Sequence, residues 1–308
     1  MSPGTRHQDI PIHIDDVKPL RYDFGEIGAT RRKLGLACNA RRLGVSIFEI
    51  DPGKRPNPPH SHADEDEAFL VLAGSGLSYQ VDVETGEART YEIRVDDLLW
   101  HRANGDGHTL IAGDDGLTVL VAAEGTRNHV TYLPRAKQFW LGPLWTSADA
   151  PHPFTADEQL GPLDIPDPTP ERPPTIRNLS ELPLEEGREG RLAYATRGVH
   201  QLGAERLVLA QDEMPPDTHN TDLHFHSTRE EAWFVRSGSG VARLDDEGYP
   251  LVPGSFWFAH ENTGVGHRVE VGPDGMLLVT IGDLIPGDIC VYPEKRTYRP
   301  ARGVELPY

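Results

Sequence analysis

Short runs of apolar and β-branched residues recur along the chain, and turn-forming residues separate them. The segment Leu43–Ile50 is one such run, and shorter ones follow at 68–72, 77–83, 117–122 and 130–133. Turns rich in Gly and Asp lie between them, at 73–76, 84–87 and 113–116. Regularly spaced short strands of this kind predict an all-β sandwich or barrel, because no segment shows the 3.6-residue period of a long helix.

One local pattern occurs twice, 164 positions apart. It consists of a His-x-His motif, four residues, a glutamate, six residues and a glycine, and its members are His60, His62, Glu67 and Gly74, then His224, His226, Glu231 and Gly238. The same offset relates Ile12 to Ile176. Further along, an offset of 159 relates His101 to His260 and His108 to His267. A fixed offset of this length indicates a duplicated domain rather than a solenoid, whose period would be about 20–50 residues.

The repeat predicts two domains, at 1–145 and 175–308, joined by a linker at 146–174. The linker region is rich in proline. Prolines at this density exclude a helix or a central strand, so we expect an extended segment that can wrap across a neighbouring domain.

Charge and cysteine content narrow the classes of function. The formal net charge is −18, so binding to nucleic acid or to anionic lipid is not expected. Only Cys38 and Cys290 are present, which favours a reducing compartment over a disulfide framework. The polar N-terminus predicts no signal peptide, and no apolar run is long enough to span a bilayer. We expect a cytoplasmic protein with a small-molecule substrate. The sequence also allows homo-oligomers that form by pairing of edge strands between chains.

The repeated histidines predict a metal site in each half. Residues i and i+2 of a strand point to one face, so His60 and His62 can present two imidazoles to one point, and Glu67 can add a carboxylate. A third imidazole would complete the shell. The predicted ligands are His60, His62, Glu67 and His108 in the first half and His224, His226, Glu231 and His267 in the second. Three nitrogens and one oxygen suit one divalent manganese, iron, nickel, zinc or copper ion per domain, and disfavour calcium and magnesium.

Two assignments within these sites have alternatives. Asp66 and Glu230 precede the favoured glutamates by one residue. His101 and His260 compete with His108 and His267 for the third nitrogen, and otherwise are candidate catalytic proton carriers because imidazole titrates near neutrality. We favour His108 and His267 because each follows a glycine at the start of an apolar segment.

Several large side chains near both motifs are candidates for a substrate pocket. They are Phe69, Tyr79, Trp100, Trp233, Arg243 and Trp257. Each aromatic can equally belong to the core of a barrel. Arg243 can bind a substrate carboxylate or form a salt bridge at the surface.

The two motifs resemble those of the cupin superfamily. The first cupin motif matches both copies, with Gly53 as the leading glycine in the first copy only. The second is matched in part, since Ala112 and Val271 replace its asparagine. The endings 131–134 and 291–293 look like those of uncharacterised bacterial cupin proteins. The resemblance implies two tandem jelly-roll barrels (double-stranded β-helices), a bicupin. With full ligand sets in both copies, it is most similar to the oxalate decarboxylase arrangement.

The function predicted from these features is a metal-dependent oxidoreductase, of dioxygenase or decarboxylase type. Its substrate would be a small organic molecule, carboxylated or aromatic. A non-redox isomerase or epimerase on a sugar-like molecule is the second hypothesis, and a metal-bearing small-molecule binding protein is the third. The sequence does not fix the substrate, the metal, the oligomeric state, or whether both sites are active, because cupin folds serve many reactions.

Overall fold

The structure is a computed structural model and describes residues 10–125, 130–141, 144–145, 152–300 and 306–307. The elements of the first half are β1 (Ile12–His13), a 3-10 helix (Ile14–Asp16), β2 (Leu20–Phe24), β3 (Ile27–Lys33), α1 (Leu34–Ala37), β4 (Leu43–Ile50), β5 (Ser61–His62), β6 (Glu67–Val81), β7 (Ala88–Arg94), β8 (Asp97–His101), β9 (Gly107–Glu124), β10 (Val130–Leu133), β11 (Gln138–Leu141) and β12 (Leu144–Trp145).

The second half repeats this order. Its elements are α2 (Pro153–Glu158), β13 (Ile176–Asn178), a 3-10 helix (Leu179–Glu181), β14 (Glu185–Glu189), β15 (Leu192–Gly198), a 3-10 helix (Val199–Leu202), β16 (Leu207–Met214), β17 (Phe225–His226), β18 (Glu231–Leu244), β19 (Glu247–Leu251), β20 (Ser255–Ala259), β21 (His267–Asp283), β22 (Ile289–Tyr292), β23 (Thr297–Pro300) and β24 (Leu306–Pro307).

Each half forms a barrel from an eight-stranded and a four-stranded sheet, with antiparallel pairing between the strands. The first barrel has strand order β13-β8-β6-β9-β4-β3-β2, with β7 beside β6, and a small sheet β12-β11-β10-β5. The second has β1-β20-β18-β21-β16-β15-β14, with β19 beside β18, and a small sheet β17-β22-β23-β24. The all-β, two-barrel prediction is confirmed.

The glycine of the repeated motif allows the two longest strands of each barrel to bend together. The β6–β9 register shifts around Gly74, and the β18–β21 register shifts around Gly238. Gly74 has φ +79°, and a Cβ there would lie 2.1 Å from the carbonyl oxygen of Gly116. Gly238 has φ +81° and an equally close approach to Gly275. A side chain is therefore excluded at both bends.

Among the described residues, three large apolar cores and one small one hold the molecule together. Phe48, Val71 and Val119 belong to the core of the first barrel, and Val235 and Leu278 to that of the second. The third core lies between the barrels and draws on both halves, with Val45, Ile47, Leu70 and Leu120 on one side and Leu207, Leu209, Phe234 and Ile281 on the other. Strands β4 and β16 each contribute side chains to a barrel core and to the shared core.

Two short strands cross between the halves. Strand β1 pairs with β20 of the second barrel, where Ile12 lies opposite Phe256. Strand β13 pairs with β8 of the first barrel, where Ile176 lies opposite Leu99. Because Ile12 and Ile176 are related by the repeat, the exchange is reciprocal. The predicted domain boundaries rest on the sequence repeat and stay a prediction.

The proline-rich segment contains a short helix, which the sequence analysis excluded. Residues 146–151 lie outside the described residues, but Pro153–Glu158 forms α2. A proline in the first helical turn removes an N–H that has no partner there in any case, and the ring of His152 accepts a hydrogen bond from the backbone N–H of Phe154 at 3.3 Å. Downstream, the N–H of Thr169 donates to the carbonyl of Thr90 at 2.7 Å, so the segment follows the first barrel.

Within the described ranges, every helix is too short or too polar to cross a lipid bilayer.

Candidate metal centres and cavity

In the first barrel, three histidine side chains converge on one carboxylate oxygen of Glu67. The Nε2 atoms of His108, His62 and His60 lie 2.9, 3.2 and 3.6 Å from Oε2 of Glu67. His62 lies on β5 and His60 directly precedes it. Glu67 begins β6 and His108 lies near the start of β9, so four chain positions meet in the barrel interior. We call these four residues the N-terminal cluster.

The electrostatics of the N-terminal cluster differ among its ligand residues. Burial is the largest influence on the pKa of Glu67 and would raise it, yet the charge of His62 and hydrogen bonds from the imidazoles hold the pKa well below its ordinary value. Burial lowers the pKa of His60 to about 4. Glu67 and His60 thus have the protonation states that metal ligation requires. Burial would lower the pKa of His62, but Glu67 raises it, so an incoming ion has to displace a proton from that ring.

The geometry fits a first-row divalent ion. Ligand atoms at about 2.1 Å from such an ion lie about 3.0–3.4 Å from one another, and the three imidazole nitrogens lie at 2.9, 3.2 and 3.6 Å from Oε2 of Glu67. His60, His62 and Glu67 also form a group whose potential ligand atoms all lie within 4.8 Å of one another.

The second barrel has a matching cluster. The Nε2 atoms of His224, His226 and His267 lie 3.3, 3.4 and 3.3 Å from Oε2 of Glu231. Burial lowers the pKa of His267 to about 4. We call these four residues the C-terminal cluster.

The alternative carboxylates have other partners. Asp66 accepts hydrogen bonds from the indole N–H of Trp100 at 3.0 Å and from the backbone N–H of Ala103 at 2.8 Å. Glu230 accepts backbone N–H groups from the other half of the chain, including that of Leu43 at 2.9 Å. Asp66 and Glu230 therefore hold neighbouring chain segments in place, whereas Glu67 and Glu231 face the histidines.

The two candidate proton carriers occupy different environments. The ring of His101 stacks on that of His108, with centroids 3.9 Å apart and planes within 2°. Its Nε2 is buried and has no hydrogen-bond partner in the described part of the chain. Burial, followed by the charge of His108, holds the pKa of His101 well below 6.5. His260 instead lies with Nε2 3.4 Å from the backbone oxygen of Asn39.

The strand register explains this difference and corrects the sequence pairing. Glu67 lies opposite His101 in the β6–β8 pair, whereas Glu231 lies opposite Ala259 in the β18–β20 pair. The structural counterpart of His101 is therefore Ala259, and His260 is one residue out of step. Such a slip sends a side chain to the other face of a sheet.

A cavity of about 810 Å³ opens onto the N-terminal cluster. His60, His62 and Glu67 form part of its lining, and the predicted pocket residue Phe69 is also there. Most of the remaining lining is apolar and aromatic, and includes Tyr22, Phe24, Phe48, Val119, Val121, Leu133 and Phe154. Phe154 comes from α2, so the proline-rich segment contributes to the cavity.

Arg31 and Lys33 bring two cations into this apolar cavity. The Nε of Arg31 donates to the hydroxyl of Ser46 at 3.1 Å, and its guanidinium lies 4.8 Å from the ring centre of Phe48. Among the described residues, no carboxylate forms an ion pair with Arg31. Burial lowers the pKa of Arg31, and burial followed by repulsion from Arg31 lowers that of Lys33.

Neither cation was predicted from the sequence, although a signal was present. Positions 29, 31 and 33 share one face of a strand, and Ala29 of that face lies in the core of the first barrel. The alternation alone could have directed Arg31 and Lys33 inward.

Three predicted pocket residues lie elsewhere. Tyr79 packs with Val81, Ile111 and Leu163 in a small core under the proline-rich segment. Trp100 packs against the shared core between the barrels. Arg243 forms a salt bridge with Glu270 at 2.7 Å, so the surface alternative is correct for this residue.

The remaining two, Trp233 and Trp257, fill the interior of the second barrel. They are almost fully buried and lie 4.6 Å apart between ring centres. Both also approach the ring of His267, at 5.3 and 6.0 Å. Trp233 replaces Phe69 of the first barrel, and the two indoles occupy space beside the C-terminal cluster.

Comparisons with known proteins bear on the fold. No protein-family model and no curated protein matches the chain. A Bacillus subtilis oxalate decarboxylase variant lacking two residues superposes with a TM-score of 0.59 at 15% identity, covering 90% of this chain and 79% of its own. A tryptophan-to-phenylalanine variant gives 0.59 at 17% identity, with 89% and 77% covered. The structure at pH 4.6 gives 0.58 at 15%, with 90% and 78% covered.

This chain has the fold of an oxalate decarboxylase. Sequence identity this low shows the fold alone, since one fold can serve many reactions. The expected resemblance to bicupins is thereby confirmed for the architecture, and the chemistry has to be argued from the residues of the clusters and the cavity.

Proposed function

We propose that the first barrel is the active site of a metal-dependent enzyme acting on an organic acid with an apolar body. The observation that carries this proposal is the guanidinium of Arg31, which lies in an apolar cavity without an ion-pair partner among the described residues. A largely buried charge without an ion-pair partner is unfavourable, although Glu67 acts on Arg31 through space. A substrate carboxylate would supply the missing anion, and Lys33 adds a second positive charge beside it.

The size and lining of the cavity favour a substrate larger than oxalate. Cavities of about 300–1,000 Å³ enclose drug-sized molecules, so 810 Å³ leaves a small dicarboxylate mostly surrounded by empty space. The rings of Phe48 and Phe69 offer apolar surface to a ring or an acyl chain. The likeness to oxalate decarboxylase therefore suggests the class of chemistry, and the cavity suggests a bulkier acid.

The N-terminal cluster would hold the ion through His60, His62, Glu67 and His108. When bound, a manganese or iron ion would act as a Lewis acid on substrate oxygens and support decarboxylation or dioxygen chemistry. Arg31 and Lys33 orient the carboxylate, and the aromatic wall excludes water from it. His101 stays the candidate proton carrier, although it stacks on His108 and is not part of the cavity lining. The proposed reaction does not use His260.

The proposal is tested by metal analysis followed by activity assays on the intact protein. Metal-free protein is loaded with Mn²⁺ or Fe²⁺ and given a panel of aromatic and acyl monocarboxylates, with oxalate as the small comparison. Oxygen uptake measures dioxygenase activity, and carbon dioxide release without oxygen uptake measures decarboxylation. We expect turnover of a bulky acid. Zinc as the sole bound metal, with neither gas exchanged for any acid, would overturn the proposal in favour of an isomerase or a binding protein.

A further inference from the structure

The two clusters have different surroundings, although their histidines and glutamates match. At the position of Glu65 in the first barrel, the second has Arg229, whose guanidinium lies 3.1 Å from Oε1 of Glu231. At the position of Thr131, the second barrel has Cys290. One substitution brings a positive charge to the C-terminal cluster, and the other brings a sulfur atom.

Cys290 lies in the strand next to the His-x-His motif. Strand β22 pairs with β17 so that Cys290 is opposite His226. Cross-strand neighbours project to the same face of a sheet. The sulfur of Cys290 and one ring nitrogen each of His224 and His226 all lie within 4.8 Å of one another, and all three residues are buried. It shares His224 with the other ligand group of the same barrel, which consists of His224, Glu231 and His267.

Burial, followed by the charges of Glu231 and Asp288, raises the pKa of the Cys290 thiol to about 11, so a metal ion that binds there has to displace the thiol proton. In the first barrel Glu65 lies 3.4 Å from His62, so the N-terminal cluster has two nearby carboxylates. The second barrel also has a second carboxylate, Asp288, 2.5 Å from His226, while Arg229 pairs with Glu231. The case for Cys290 as a ligand therefore rests on its position beside His224 and His226.

We propose that the second barrel binds a thiophilic divalent ion, zinc above all, with Cys290 as a sulfur ligand beside His224 and His226. On binding, the S–H bond of Cys290 breaks, a sulfur–metal bond forms, and the proton leaves to solvent. Two imidazoles and a thiolate are a donor set that zinc prefers over manganese. The two barrels thus bind different metals, an all nitrogen-and-oxygen site in the first and a sulfur-containing site in the second.

His226 is already oriented for this role. Its Nδ1 lies 2.5 Å from Oδ2 of Asp288, and the other oxygen of Asp288 accepts the backbone N–H of Thr228 at 2.9 Å. A carboxylate behind a histidine fixes the ring and leaves Nε2 toward the ion, as is common in zinc sites.

Cobalt substitution tests the sulfur ligand without an activity assay. Metal-free full-length protein is loaded with two equivalents of Co²⁺, and the near-ultraviolet absorption is recorded for the wild type, Cys290→Ser and Cys38→Ser. A cobalt–thiolate pair adds a charge-transfer band that nitrogen and oxygen ligands do not produce. We expect this band in the wild type and in Cys38→Ser, a matched control because Cys38 is a buried cysteine in the core shared by the barrels. It should vanish in Cys290→Ser.

X-ray absorption of the wild-type zinc protein provides a second measurement that needs no variant. We expect a sulfur scatterer at about 2.3 Å from part of the bound zinc, and a loss of zinc affinity of about tenfold or more in Cys290→Ser. A wild-type cobalt protein without the charge-transfer band, or zinc with nitrogen and oxygen neighbours alone, would overturn the proposal. Neither result would affect the proposed function of the first barrel.

Discussion

The Nε of Arg42, in the first half, donates a hydrogen bond to Asp283 of the second half at 2.9 Å. The repeat provides the reciprocal contact, since Arg206 of the second half lies 3.1 Å from Glu124 of the first. Arg42 also reaches Glu261 and the backbone of Thr228. The two halves are thus held by a pair of equivalent arginine–carboxylate contacts around the shared apolar core.

Replacing Arg42 with alanine should weaken this boundary. Asp283 is almost fully buried, so it would lose its compensating charge and we expect the free energy of unfolding to fall by about 2–4 kcal/mol. Urea denaturation measures the change. Arg41→Ala is the control because Arg41 is largely exposed and contacts the same Glu261, and it should change stability by less than about 0.5 kcal/mol. Equal effects of the two substitutions would contradict the assignment.

Replacing Arg31 with glutamine should impair binding of organic acids by the first barrel. Removing the buried cation should weaken binding by about 2 kcal/mol, roughly thirtyfold, and leave the bound metal in place. Calorimetric titration with the best acid from the panel measures the affinity.

The neighbouring residue provides the control for that experiment. Arg32 pairs with Glu49 at 2.9 Å and is absent from the cavity lining, so Arg32→Gln should bind the acid like the wild type. An Arg31→Gln protein with unchanged affinity would show that the carboxylate is recognised elsewhere.

Each cluster should account for about one metal ion per chain. The double variant His60→Ala, His62→Ala should lose the ion of the first barrel, and His224→Ala, His226→Ala that of the second. Elemental analysis of the purified proteins measures the stoichiometry. If one double variant removed both ions, or neither did, the assignment of separate sites would be wrong.

Chelation should lower the thermal stability of the wild type more than that of either double variant. A ligand at a thousand times its dissociation constant stabilises the native state by about 4 kcal/mol. Scanning calorimetry with and without a chelator measures the difference, and His200→Ala, at a partly exposed histidine outside both clusters, should respond like the wild type.

Asp212 should make the second barrel more stable at mildly acidic pH than at neutral pH. Burial raises the pKa of Asp212 to about 6, although Thr196 and Thr280 donate hydrogen bonds that lower it. The folded-state pKa lies above the unfolded value of 3.8. The stabilisation is therefore complete below about pH 4 and is lost as the pH rises through 6.

Asp212→Asn removes that titration and should reveal it. The asparagine protein should exceed the wild type in stability by about 2 kcal/mol at pH 8 and by much less at pH 4.5, as measured by urea denaturation. Asp274→Asn, at an exposed aspartate, should show no such pH dependence. A constant difference between Asp212→Asn and wild type across this range would exclude the proposed ionisation.

Local spacing made the metal clusters predictable. His60, His62 and Glu67 lie within eight consecutive positions, so the short connection between β5 and β6 brings the three side chains together. The repeat then transferred the same geometry to His224, His226 and Glu231. The bending glycines Gly74 and Gly238 were recognisable for the same reason, since their distance from the glutamates is fixed by the strand that both belong to.

Long-range pairing decided what the sequence could not predict. His101 and His260 match at a constant offset, but strand register places Ala259 opposite Glu231 and moves His260 out of step. Arg243 was a candidate for binding a substrate carboxylate, but it forms a salt bridge with Glu270 on the neighbouring strand. The role of Arg31 depends on a cavity whose walls come from β2, β4, β6, β9 and α2, and no local pattern reports such an assembly.

The exchange of β1 and β13 has a consequence for how the molecule is assembled. Each barrel completes its large sheet with an edge borrowed from the opposite half, so a half-length polypeptide would present an unpaired edge. Two copies of such a polypeptide could form a domain-swapped dimer in which each copy supplies the missing edge strand of the other. When both halves are joined in one chain, the exchange of edge strands is intramolecular and no longer depends on protein concentration.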